Sequence, residues 1–295
     1  MAPSAPSGQS RHATLILIVG IILFAASGLG LLLTGNSDIR YSADHTGTVP
    51  VWTRWIPSLV ALLLLRFMPP ATPPAPPAQP EVSGMIRTQA WWLLVAAGLF
   101  PALLALAGSG DGWYIVLKLA VLVGLPLILF WLGAPATRVV DDANGRWRTS
   151  LGRWYWLGPV LPVVAWFYLS YATPLALPQA AYAWPDTQTL VVTLLVVFLI
   201  NAVVEEYFYR VWLQSRLELL LGRWPAIVVA AAAWAVWHVV IQGGQGVVVD
   251  LAMVMSNQGV QGLFLGYLWS RYRNIWVLLL VHGAVNAAGI LLALL

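Results

Sequence analysis

The chain contains no cysteine. Disulfides, thiolate metal sites and cysteine nucleophiles are therefore excluded together. Charge is nearly as scarce: Asp, Glu, Lys and Arg make up 9% of the 295 residues, against roughly 25% in a soluble domain. A chain this poor in charge cannot cover itself with a hydrated surface. Its formal charge of +4 is accordingly no sign of nucleic-acid binding, and no nucleic-acid partner is expected. What is abundant is apolar: 60% of residues are hydrophobic, in runs approaching the roughly 20 residues that cross a bilayer. Seventeen tryptophans suit the membrane–water interfaces. The expected fold class is all-α, a polytopic transmembrane helical bundle, with membrane lipids as its first partners.

The apolar runs fall at about 13–33, 51–68, 90–107, 113–132, 155–172, 188–212, 224–242, 248–269 and 275–294. That is about nine spans, or eight if one run is re-entrant. The second is short and interrupted by Arg54 and Pro57. Arg11 and His12 precede the first, which lacks a small-residue cleavage site with a polar sequel and reads as an uncleaved span. A proline-rich stretch at 69–80 reads as an extended cytoplasmic spacer. Basic residues recur at Arg11, at Arg66 and Arg87, from Arg138 to Arg153, at Arg216 and Arg223, and at Arg271 and Arg273. They mark alternate loops, so the N-terminus is expected in the cytoplasm and the C-terminus outside. The chain divides into a polar tail at 1–12, an N-terminal membrane region of about five spans at 13–185, and a membrane domain of about four spans at 186–295. The compact chain and simple basic N-terminus suggest a bacterial inner membrane. The oligomeric state is left open.

Polar chemistry concentrates in the last four runs. Glu205, Glu206 and Arg210 lie on the sixth run, His238 on the seventh, and His282 and Asn286 on the last. Ionisable groups inside the bilayer cost roughly 2.5–3.5 kcal/mol each on insertion scales, so their default reading is functional. Glu205 lies 17 residues before Gly222 and His238 lies 16 after it. A helix hairpin at Gly222-Arg223-Trp224-Pro225 would hold the two at equal depth, roughly 24 Å from the turn. Residues four apart share a helix face. Glu206 and Arg210 therefore form a charge-assisted pair, leaving Glu205 as the freer carboxylate. Gly262 and Gly266 form a close-packing face. Lys118 stands isolated in the fourth run and reads as a snorkelling cation; Tyr209 and Trp234 read as cavity wall.

Three motifs carry a resemblance: Glu205-Glu206-Tyr-Phe-Tyr-Arg210, Trp234-Ala-Val-Trp-His238 and His282-Gly-Ala-Val-Asn286. In this order, each inside an apolar run, they resemble the CPBP intramembrane proteases, which include the type II CAAX prenyl endopeptidases and bacteriocin-processing enzymes. The resemblance covers about 190–290, and it departs from the family pattern at Trp234, where phenylalanine is usual. It implies hydrolysis of a peptide bond within or next to the membrane, on a peptide or membrane-protein substrate. In that reading Glu205 is the general base on a water, His238 helps hold the water, and His282 and Asn286 stabilise the oxyanion. Glu206 and Arg210 support the geometry. No cofactor is favoured, although Glu205, His238 and His282 also make up a His₂Glu zinc set with an open fourth position. No His-Glu-x-x-His helix demands zinc. Two further classes compete: a proton-coupled transporter, whose Glu and His would relay protons, and a catalytically silent membrane scaffold. The transporter lacks a matching polar half or an inverted repeat in the first five runs.

Overall fold

The computed structural model of the protein describes residues 8–42, 47–69, 80–108, 111–176 and 186–293. Most of the polar tail and of the proline-rich spacer lies outside the described residues. The first helix, α1 (Gly8–Leu33), leads to a two-stranded antiparallel ribbon of β1 (Asp38–Arg40) and β2 (Thr48–Pro50), in which Ile39 pairs with Val49. There follow α2 (Trp52–Phe67), α3 (Pro80–Ala107), α4 (Asp111–Leu119), a π-helical stretch Ala120–Gly124, α5 (Leu125–Leu132), α6 (Ala134–Leu151), α7 (Trp154–Leu157) and α8 (Val160–Tyr171). The C-terminal region begins with α9 (Thr187–Val197), a π-helical stretch Phe198–Val203, α10 (Val204–Glu206), a second π-helical stretch Tyr207–Gln214 and α11 (Ser215–Leu221). It continues through α12 (Arg223–Val236), α13 (Val239–Gln242), α14 (Val247–Val254), a π-helical stretch Met255–Gly259, α15 (Val260–Tyr272) and α16 (Ile275–Ala293).

Among the described residues five helical runs are long and apolar enough to cross a membrane: Arg11–Leu33, Ser83–Ala107, Gly112–Leu132, Thr187–Leu221 and Arg223–Gln242. The other expected spans take different forms. The helix at 51–68 has only 16 residues. The run at 155–172 is cut by Gly158-Pro159 into α7 and α8. The run at 248–269 carries Ser256, Asn257, Gln258 and Gln261 buried within it. The last contains a shorter apolar helix, Ile275–Ala287. Large apolar side chains face outward along these helices, among them Ile18, Ile22, Leu127, Trp131, Val192 and Leu195. Such an apolar exterior exceeds what a water-soluble monomer shows, and the chain is an integral membrane protein.

The run Thr187–Leu221 has 35 residues, roughly 50 Å at 1.5 Å per residue, longer than a hydrocarbon core of about 30 Å. Its start is capped by Asp186, which accepts hydrogen bonds from the Thr189 amide at 3.0 Å and the Thr189 hydroxyl at 2.6 Å. At its far end Gly222, with φ of 84°, reverses the chain into α12 with no Cβ to obstruct the left-handed turn. Asn274 opens α16, its side-chain oxygen accepting from the amides of Trp276 at 3.1 Å and Val277 at 3.3 Å.

Small residues set the helix spacing around the centre. A Cβ on Gly262 would lie 3.0 Å from Ala231 Cβ and 3.2 Å from the Trp234 ring, so α15 lies directly against α12. Gly283 brings α16 against Phe198 in the same way, at 3.1 Å. Three arginines that the sequence places in basic loops are buried instead. Arg216 donates to Gln89 Oε1 at 2.8 Å and stacks over Phe130. Arg273 pairs with Glu218, and Arg271 donates to the Met68 carbonyl. These charges lock helices together, because a buried guanidinium left unpaired is costly.

Candidate active site

Glu205 and Glu206 lie on α10, a three-residue α-helical piece between two π-helical stretches. Each π turn admits an extra residue and re-aims the side chains that follow, a device often found at functional sites. The two neighbouring carboxylates face different helices. Glu205 Oε1 accepts from Lys118 Nζ at 2.5 Å and Oε2 accepts from the Trp234 indole Nε1 at 2.5 Å. Glu206 Oε1 accepts from His282 Nδ1 at 2.7 Å. Its Oε2 lies 3.4 Å from Arg210 Nε, close enough to pair charges but not aligned as a hydrogen bond, so Oε2 has no hydrogen-bond partner. Lys118, Glu205, Glu206 and Arg210 are all at most 2% exposed.

Trp234 is the hub. Its indole binds Glu205, its ring edge meets His282 at 5.4 Å and His238 at 5.3 Å between centroids, and the Arg210 guanidinium lies 4.6 Å over its ring. His238 Nδ1 lies 3.0 Å from the Trp234 carbonyl oxygen. A carbonyl only accepts, so Nδ1 carries the proton and Nε2 is left as an acceptor. The His238 ring packs against Trp237 at 3.9 Å and lies within electrostatic reach of Glu205, Lys118 and His282. His282 Nε2 is 3.9 Å from Glu205 Oε2. One turn further along α16, Asn286 has a buried Nδ2 with no hydrogen-bond partner. Arg210 Nη1 and Nη2, Tyr209 Oη and Trp237 Nε1 are likewise buried without partners. Such groups cost about 1–3 kcal/mol each, and their concentration here marks a centre able to receive further hydrogen bonds.

The geometry keeps the expected Glu206–Arg210 pair and corrects the sequence reading at Glu205, Trp234 and Lys118. Glu205 is not the freer carboxylate; both its oxygens are bound. Glu206 is shared between Arg210 and His282, which approaches from the last helix. Trp234 is more than cavity wall, since it donates to Glu205. Lys118 does not snorkel: it is fully buried and turned inward, because α4 packs beside the π-helical stretch that carries Asn201. The signal was present. Tyr114 and Lys118 are four residues apart, as are Asn201 and Glu205, and the two stripes interlock. Tyr114 Oη donates to Asn201 Oδ1 at 2.7 Å, and Lys118 Nζ donates to Tyr114 Oη at 2.5 Å and Asn201 Oδ1 at 2.9 Å.

The zinc set fits this arrangement poorly. Among the described residues no three His, Cys, Asp or Glu side chains converge to hold a metal ion. Both Glu205 oxygens are also taken, Oε1 by the Lys118 ammonium and Oε2, the one nearer His282, by the Trp234 indole.

Residues 187–288 are similar to the family described as Type II CAAX prenyl endopeptidase Rce1-like, and every motif singled out above lies within them. Lys118 and Tyr114 lie outside. No curated protein and no solved structure matches the chain.

Proposed function

We propose that the protein is a metal-free glutamic intramembrane endopeptidase in which Glu205 is the general base. The observation that carries this reading is the joint burial of Glu205 with His282, Trp234 and Lys118 in an apolar bundle. In the proposed reaction a water attacks the peptide carbonyl carbon while Glu205 takes its proton. His238, protonated on Nδ1, accepts a hydrogen bond at Nε2 from the water's other O–H. The oxyanion receives a hydrogen bond from Asn286 Nδ2, with His282, held through Nδ1 by Glu206, beside it. Glu205 then returns the proton to the leaving nitrogen, the C–N bond breaks, and a carboxylic acid and an amine depart, the acid's remaining proton passing to the amine to give carboxylate and ammonium. Glu206 and Arg210 hold the geometry.

The family description names a CAAX prenyl endopeptidase, so an internally quenched farnesylated CAAX peptide is the first probe. Reconstituted wild-type protein is expected to cleave it and to keep its rate after exhaustive chelation. A rate abolished by chelation and restored by zinc would transfer the centre to the His₂Glu zinc reading. The Glu205→Gln form, used as a trap, is expected to accumulate the natural substrate, a peptide or another membrane protein. The arrangement of about nine spans, with a cytoplasmic N-terminus, an outside C-terminus and residues 186–295 as the catalytic domain, is proposed for a bacterial inner membrane. With no native cysteine, single introduced cysteines can be labelled from either side to test it.

A further inference from the structure

We propose that Lys118 is the positioning residue of the general base, so that the working centre is assembled from both halves of the chain. This rests on the reading of Glu205 given above. An ammonium has three N–H donors, and each one here has its own acceptor: Tyr114 Oη, Asn201 Oδ1 and Glu205 Oε1. The rings of Tyr114 and Trp237 lie 4.7 and 4.8 Å from Nζ and complete the cage. Trp237 precedes His238 and packs on its ring, so the same cage also touches the residue assigned to hold the water.

The effect on Glu205 is geometric. One carboxylate oxygen is held from α4 by Lys118 and the other from α12 by Trp234. Two donors on two different helices fix both the position and the plane of the carboxylate. A base must be held within about 0.5 Å of its productive position to be effective. The charges also balance. Lys118 and Arg210 face Glu205 and Glu206, two cations against two anions, all buried. When Glu205 takes a proton as the oxyanion forms, negative charge moves within the centre and its sum is unchanged. The match to the protease family begins at residue 187, so this cation is supplied by a helix that the family pattern does not include.

The test uses the full chain in proteoliposomes with the quenched farnesylated peptide. Lys118→Met is expected to lower kcat at least 100-fold with KM changed less than twofold. Lys118→Arg, which keeps the charge, is expected to recover at least tenfold of that loss. A Lys118→Met enzyme as fast as wild type, or faster, would overturn the proposal, the latter by showing that Lys118 restrains the base. So would an arginine variant no better than methionine in protein of unchanged melting temperature. Should Lys118→Met not fold, Tyr114→Phe loosens the same ammonium through one hydroxyl; kcat severalfold lower at constant KM supports the proposal, and an unchanged kcat overturns it. Glu205→Gln separates the two readings. If it still cleaves, the base assignment fails; if it is inactive while Lys118→Met is active, only the role of Lys118 fails.

Discussion

Glu206 offers a test in which stability and activity part company. Its carboxylate serves two buried partners, His282 Nδ1 at 2.7 Å and Arg210 Nε at 3.4 Å. Truncation to alanine leaves Arg210, 1% exposed, without its counter-charge. Breaking a buried pair from one side costs about 3–5 kcal/mol, and the orphaned His282 Nδ1–H adds about 1–3 kcal/mol. Glutamine keeps an acceptor of the same shape for His282. It exchanges a charge-assisted bond of about 1.5–3 kcal/mol for a neutral one of about 0.5–1.5 kcal/mol. Glu206→Gln should therefore be the milder change on both counts, with kcat down about tenfold, corresponding to about 1.4 kcal/mol of lost transition-state stabilisation. Glu206→Ala should unfold markedly earlier in detergent and lose most activity. Thermal unfolding and cleavage of the quenched peptide, measured on the same preparations, check both. A fully stable Glu206→Ala, or a Glu206→Gln that is inactive yet as stable as wild type, would refute the supporting role.

Trp234→Phe keeps a ring at the hub but removes the indole donor to Glu205 Oε2, and should destabilise the protein by about 1.5–3 kcal/mol, read from thermal unfolding. Gly262→Val places atoms where a Cβ already comes 3.1 Å from Ala231 Cα and 3.2 Å from the Trp234 ring; α15 must back away from α12, at a cost of about 1–3 kcal/mol, visible as a lower melting temperature. Asp186 is held below the usual carboxylate range by the Thr189 hydroxyl and amide. Its lowered value means that its capping contribution is present above the ordinary carboxylate pKa and is lost as pH falls through the lowered one. Amide exchange at residues 187–190 should accelerate over that acid range, and Asp186→Asn should remove the pH dependence.

Much of the centre was legible because its residues sit where charge is expensive. The two glutamates, His238, His282 and Arg210 stand out in apolar runs, and the Gly222 hairpin relates the run of the glutamates to that of His238. Close packing at Gly262 followed from small residues four apart, whereas its partner, α12, did not. Lys118 was misread because sequence distance from a helix end does not reveal which way a long side chain turns; the deciding fact is the neighbouring stripe of Asn201 and Glu205. The division of partners between Glu205 and Glu206 was also hidden, since the flanking π-helical stretches alter the angular spacing that a regular helix would give. The buried roles of Arg216, Arg271 and Arg273 escaped a loop-charge argument because it counts charge without burial.

The most direct test of Glu205 as general base is the single-turnover cleavage rate of Glu205→Gln beside wild type, in proteoliposomes, with equal peptide binding verified. General-base catalysis contributes about 10²–10⁴-fold, and the amide keeps the size of the carboxylate. The expected result is a rate lower by at least 100-fold in a protein that folds and binds as wild type does. A Glu205→Gln enzyme that cleaves within tenfold of the wild-type rate would contradict the mechanism at its centre.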